Sequence, residues 1–151
     1  MRCNLNDRFL KYEELAAQFD EGRDFVIEAN QKIGSRFTVL APHGGKIEHG
    51  TSEIARRIAG EQYNLYLFEG RLSAGNRDLH VTSHRFFEKR ADDLLKATEF
   101  AIGVHGRRDQ DGSVAQIERD SLCDSMVLVV GDEQTDTCDL PHDELAFLSR
   151  H

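Results

Sequence analysis

The chain has no tryptophan, two prolines and only three cysteines in 151 residues. Cys3, Cys123 and Cys138 are odd in number, far apart and without a Cys-x-x-Cys pair. That spacing excludes thiolate zinc ligation of the finger type and argues against a disulfide scaffold. Long apolar runs are also missing: stretches such as Met126–Val130 are far too short to cross a bilayer, so no membrane partner is expected. The first residues, MRCNLNDRFLKYEEL, are too charged for a secretory signal, and the expectation is a cytoplasmic protein. Basic residues are in the minority. Nineteen Lys and Arg against twenty-seven Asp and Glu leave a formal net charge of −8, which weighs against nucleic acid as a partner.

Material for a core is ample, with 39% hydrophobic residues and nine phenylalanines, and the length suits one domain over 1–151. The pattern predicts a short amphipathic helix over Lys11–Phe19 and strands over Asp24–Glu28 and Arg36–Ala41, the second halted by Pro42. A helix follows over Thr51–Ala59, capped by Thr51 or Ser52, and then an alternating strand over Tyr63–Phe68. His80–Ser83 reads as a short strand, and Glu88–Thr98 as a helix with Ala91, Leu94, Leu95 and Thr98 inward. Phe100–His105 and Met126–Val130 read as buried strands. Arg107–Asp124 reads as a polar loop, and the acidic stretch Asp132–Asp139 as the least structured part. Alternating strands and helices at this spacing predict a three-layer α/β architecture.

Seven histidines stand out in this composition. Three features fall at the carboxyl ends of expected strands, where open α/β sheets bind ligands. Pro42-His43-Gly44-Gly45-Lys46-Ile47-Glu48 places an imidazole and a carboxylate on one glycine turn, able to face a single ion. His105 ends its strand just before Gly106 and offers a third donor, completing a His2Glu set of the zinc type. Gly75 to His84 gathers Asn76, Arg77, Asp78, His80 and His84 on one loop and strand edge, where Arg can grip a carboxylate bidentately. Taken singly, each feature also has a plain reading: His43 as a turn residue, His105 as a core histidine, Arg77 and Asp78 as a loop ion pair. Arg56 and Arg57 read as the wet face of their helix, and His49, His84 and His142 as surface histidines.

The strings APHGGKIEHGTSEIARRIAG (Ala41–Gly60), YLFEG (Tyr66–Gly70), NRDLHVTSHRF (Asn76–Phe86) and VHGRRD (Val104–Asp109) together resemble the phage poly-γ-glutamate hydrolase family. Residues 11–108 carry the best match, and 109–151 form a weakly matched tail. The resemblance implies a zinc-dependent hydrolase of γ-glutamyl amide bonds on an α/β/α sandwich with a mixed twisted sheet, similar to zinc carboxypeptidases. It implies Zn2+ held by His43, Glu48 and His105 plus a water, with Asp78 or Glu69 orienting a ligand histidine from behind. Poly-γ-glutamate or a similar acidic peptide is the expected substrate, met by Arg77, Asn76 and His80. A local basic rim of Lys46, Arg77, Arg107 and Arg108 would offset the net negative charge. No late segment resembles the QLE-x-S-x-x-LR stretch that supplies the glutamate base in such enzymes, so the resemblance implies a shortened member. The base stays unassigned among Glu53, Glu69, Glu88 and Glu144, with Glu69 the best placed of them. A non-catalytic metal- or ligand-binding remnant is the alternative expectation.

Overall fold

The computed structural model of the protein describes residues 7–107, 117–119 and 126–131. The elements run α1 (Tyr12–Ala16), β1 (Phe25–Asn30), β2 (Phe37–Gly45), α2 (Thr51–Ala59), β3 (Asn64–Gly70), α3 (Lys89–Lys96), β4 (Phe100–Arg107), β5 (Ile117–Arg119) and β6 (Met126–Gly131). Two single 3-10 turns, Asn76–Leu79 and Ser83–Arg85, lie between β3 and α3.

The strands form one mixed sheet in the order β1-β3-β2-β4-β6-β5. The inner pairs β3–β2, β2–β4 and β4–β6 are parallel, whereas β1 and β5 close the edges antiparallel. The chain leaves β2 through α2 to reach β3 on one side, then returns through α3 to β4 on the other. Right-handed crossovers in opposite directions put their helices on opposite faces, which gives three layers. They also make the gap between the carboxyl ends of β2 and β4 a switch point where a ligand crevice opens. Pairing between these two strands runs only from Phe37↔Phe100 to Leu40↔Gly103, so their far ends are free to diverge around a site.

Packing follows the alternation of side chains. Val39, Ala41, Leu65, Leu67 and Val104 meet Ala55 and Ala59 of α2 on one face. Leu40, Tyr66, Phe68 and Ala101 point the other way, into a larger cluster with Leu15, Phe25, Phe86, Leu94 and Leu95. The rings of Phe25 and Phe68 lie 4.8 Å apart at its centre. The alternating strand expected over Tyr63–Phe68 forms from Asn64 to Gly70 and, with both sheet faces covered, all seven of its residues are buried.

Four local expectations change for identifiable reasons. Pro42 does not halt β2. The strand pairs β3 up to Ala41↔Leu67 and resumes at Gly44↔Glu69, so the proline sits in the register shift, where its missing N–H breaks no ladder bond. Neither Thr51 nor Ser52 caps α2. Gly50 precedes the helix, the Thr51 hydroxyl donates to the carbonyl of Glu48 at 2.9 Å, and Ser52 Oγ accepts from the backbone of Gly45 at 3.0 Å. Both hydroxyls therefore serve the loop before the helix. His80–Thr82 is irregular backbone between the two 3-10 turns, not a strand. Inside the expected loop Arg107–Asp124, β5 pairs antiparallel with β6. The rest of the segment after Arg107, and the acidic stretch Asp132–Asp139, lie outside the described residues.

The helix expected over Glu88–Thr98 forms from Lys89 to Lys96, with the Glu88 carboxylate capping it through the N–H groups of Arg90 and Ala91. The half-buried Thr98 turns its hydroxyl onto the carbonyls of Leu94 and Leu95. Among the described residues, no helix is long and apolar enough to cross a membrane.

Candidate metal centre

His43 leaves the end of β2 inside its bulge, and the backbone then folds back on itself. The N–H of Glu48 donates to the carbonyl of His43 at 2.9 Å, so the six residues from His43 to Glu48 make one closed turn that brings both side chains to the centre. Gly45 makes this fold possible. Its φ of +66° is costly for any residue with a Cβ, and a Cβ there would stand 2.7 Å from the carbonyl oxygen of Gly70. Glu48 then reaches across to β4, where its Oε2 accepts the backbone N–H of Gly106 at 2.8 Å. A Cβ on Gly106 would lie 3.0 Å from the Cβ of Glu48, so this close approach also depends on glycine.

The three expected ligands meet. One donor atom from each of His43, Glu48 and His105 lies within 4.8 Å of the others, and all three residues are buried. His43 Nε2 is 2.9 Å from the carbonyl oxygen of Val81. A carbonyl only accepts, so Nε2 carries the hydrogen and Nδ1 keeps its lone pair. That lone pair faces Glu48 Oε1 at 3.5 Å, and His105 Nδ1 stands 4.0 Å from Glu48 Oε2. Ligands about 2.1 Å from a tetrahedral ion lie roughly 3.4 Å from one another, so these donors would draw together to close on an ion. Two nitrogens and one carboxylate oxygen converging in a buried space form a donor set suited to zinc.

The charge at the centre follows from its neighbours. Burial alone would raise the Glu48 carboxyl, but in acid, where imidazoles carry positive charge, His43, His105 and His80 outweigh it and bring the pKa down to about 2. The fourth imidazole, His80, stacks on His43 with ring centroids 4.0 Å apart and planes 25° from parallel. Its Nε2 is 4.0 Å from Glu48 Oε1, and its Nδ1 is 2.7 Å from Asp7 Oδ1. Burial lowers the His80 pKa, His43 adds to that, and Asp7 and Glu48 oppose it.

The remaining candidates are spread more widely. Arg77 is exposed on the first 3-10 turn, three residues before His80. Asn76 is buried and holds the turn itself: its amide accepts from the N–H of Leu72 and donates to the Leu72 carbonyl, each at 2.9 Å. Asp78 pairs with Arg8 at 2.7 Å, not with Arg77. Glu69 shares the sheet face of Leu65 and Leu67, across from His105, and meets the guanidinium of Arg56 at 3.2 Å. Arg56 is thus more than a wet-face residue, because it forks between Glu69 and Glu28. Glu53 is exposed and Glu88 caps α3. Arg108, Glu144 and His142 lie outside the described residues.

Sequence reasoning missed Asp7. It stands 73 residues from His80 in a segment with no periodic signal, and only the fold brings the two together. Its carboxylate also accepts from the N–H and hydroxyl of Thr82, at 2.9 and 2.5 Å.

Comparison with known proteins agrees with this geometry. UPF0714 protein YndL of Bacillus subtilis (strain 168) is 43% identical over 108 residues, which is 72% of this chain and 42% of that protein. UPF0714 protein YmaC of the same organism is 36% identical over 108 residues, covering 72% of this chain and 45% of the relative. The chain thus spans less than half the length of these curated relatives. A solved structure described as "YNDL-apo (Zinc-free)" superposes with a TM-score of 0.71 at 28% identity, covering 84% of this chain and 81% of the other. A bacteriophage poly-gamma-glutamate hydrolase structure matches with a TM-score of 0.75 over 95% of both chains, and at 21% identity that likeness speaks for the fold alone. The family model for poly-gamma-glutamate hydrolase matches residues 9–123, most of the chain and all three converging donors. The chain belongs to the poly-gamma-glutamate hydrolase family.

Proposed function

We propose that this chain is a zinc-dependent amidohydrolase that cleaves γ-glutamyl amide bonds in poly-γ-glutamate or a similar acidic peptide. The observation that carries this reading is the buried convergence of His43, Glu48 and His105 at the switch point of the sheet, in a chain of this family. His43 Nδ1, a Glu48 carboxylate oxygen and a His105 nitrogen would hold the ion. When bound, zinc supplies an acidified water and polarises the amide carbonyl.

The protein's own residues do the rest. Val81 fixes the tautomer of His43, and Gly106 anchors the Glu48 carboxylate. Arg77, exposed on its turn, holds a carboxylate of the substrate, and the exposed Lys46 adds positive charge to the same rim. His80 stands beside Glu48, stacked on His43. Burial of the donors keeps bulk water from competing with the amide.

One observation favours the second reading, a non-catalytic metal-binding remnant. Of the four carboxylates considered as the base, the three described ones are engaged elsewhere or exposed: Glu69 pairs with Arg56, Glu88 caps α3, and Glu53 is exposed. Zinc-loaded protein incubated with poly-γ-glutamate and with γ-glutamyl dipeptides separates the two. Shortening of the polymer, lost in His105→Ala, supports the hydrolase. An intact polymer, beside a longer relative that degrades it, supports the remnant.

A further inference from the structure

Asp7, Thr82 and His80 make a closed hydrogen-bonded unit directly behind the candidate centre. One carboxylate oxygen of Asp7 takes His80 Nδ1 at 2.7 Å, and the other takes the N–H and hydroxyl of Thr82. A carboxylate only accepts, so His80 Nδ1 carries a hydrogen and Nε2 is left with a lone pair. That lone pair faces Glu48 Oε1, also an acceptor, at 4.0 Å. Two acceptors aimed into one small buried space call for a donor or a cation between them. The stacking of His80 on His43 decides what His80 does there. Nearly parallel rings with centroids 4.0 Å apart cannot both point in-plane lone pairs at one ion, so His80 serves the centre from beside it and is not a further ligand.

We propose that Asp7 is the positioning residue of the centre: it locks His80 in the Nδ1–H form, so that Nε2 accepts a hydrogen bond from the water or amide beside Glu48. The proposal rests on the hydrolase reading for what occupies that space, but the locking of the tautomer does not. Asp7 also lies in the segment of Arg8 and Phe9, which is fastened by the Arg8–Asp78 pair and by burial of the Phe9 ring. The start of the described chain therefore sets the polarity of a site built from β2 and β4.

Asp7→Asn keeps the size of the side chain and reverses one pole. The backbone N–H of Thr82 can only donate, so it claims the single amide oxygen, and the NH2 group is turned to His80 Nδ1. The histidine must then adopt the Nε2–H form and donate toward Glu48. Long-range 1H–15N correlation spectra of the metal-free protein read this directly. The wild type should show a protonated Nδ1 and a bare Nε2 on His80, and Asp7→Asn should show the reverse. Zinc affinity, measured by competition with a chelator, should fall about 5-fold in Asp7→Asn, the worth of one hydrogen bond, because the new Nε2–H of His80 donates to the Glu48 carboxylate. Thr82→Val, which keeps the backbone N–H, should leave the tautomer as in the wild type. An Nε2–H form in the wild type overturns the proposal even if Asp7→Asn does not fold. So does an unchanged tautomer or an unchanged zinc affinity in a folded Asp7→Asn. Failure to hydrolyse poly-γ-glutamate, with the tautomer inverting as described, would count against the hydrolase reading and not against this one.

Discussion

Glu48 Oε2 accepts the backbone N–H of Gly106 at 2.8 Å, which ties the turn after β2 to the strand that presents His105. One hydrogen bond thus sets the distance between two of the three donors. A side chain at position 106 would crowd this contact, since a Cβ there would stand 3.0 Å from that of Glu48. Gly106→Ala should destabilise the fold by about 1–3 kcal/mol through crowding. It should also weaken zinc binding, because the carboxylate must shift. Chemical denaturation and a zinc titration on the same sample check both parts.

The acid limb of stability should be governed by Asp7 and Glu48. Each is lowered in the fold to about 2, from 3.8 for Asp7 and 4.5 for Glu48. For both, burial pulls upward and is outweighed: by His80 and Thr82 at Asp7, and by the surrounding histidines at Glu48. A depressed carboxyl contributes stability that is complete above its unfolded value and is lost as pH falls through the folded one. Metal-free protein should therefore lose stability progressively between about pH 4.5 and pH 2. Denaturation midpoints across that window should fall less steeply in Asp7→Asn than in the wild type.

Arg56 and Glu69 should matter for stability and not for metal. Glu69 is buried on the α2 face, and removing its cation in Arg56→Ala leaves the carboxylate poorly compensated, at about 1–3 kcal/mol. Zinc affinity should be that of the wild type in both Arg56→Ala and Glu69→Gln. A strong loss in Glu69→Gln, measured by competition with a chelator, would place that carboxylate at the centre after all.

Leu67 of β3 is fully buried in the cluster under α2 and pairs with Ala41, the residue before the bulge of β2. Leu67→Ala should cost about 2–5 kcal/mol, the range for a core cavity. Thermal melts should show the loss in metal-free and zinc-loaded protein alike, because the cavity touches no donor.

Much of this was legible in the sequence, for reasons particular residues make plain. The span of α2 was readable, though not its cap, because Ile54, Ala55, Ile58 and Ala59 repeat at helical spacing and Gly60 stops it. His43, Glu48 and His105 were readable because glycines flank them at the ends of apolar runs. The end of β2 was not, since a proline inside a bulge looks in sequence like a proline that ends a strand. Nor was the segment His80–Thr82, whose β-branched Val81 and Thr82 suggest a strand while their hydrogen bonds go to His43 and Asp7. The partners of Asn76 and Asp78 were not legible for a related reason: Leu72 and Arg8 are brought to them by how the loop closes. Asp7 carried no local signal at all.

The central claim, a single zinc held by His43, Glu48 and His105, is tested most directly by metal stoichiometry. Metal-free protein is titrated with zinc, and bound metal is counted by elemental analysis for the wild type, His105→Ala and His49→Ala. His49 is exposed next to Glu48 in sequence, so it controls for nonspecific imidazole binding. About one zinc per chain is expected in the wild type and in His49→Ala, weakening as pH falls through the ordinary histidine value of about 6.5. His105→Ala should lose stoichiometric binding under the same conditions. Retention of one tightly held zinc in folded His105→Ala would contradict the three-donor centre and the hydrolase reading built on it.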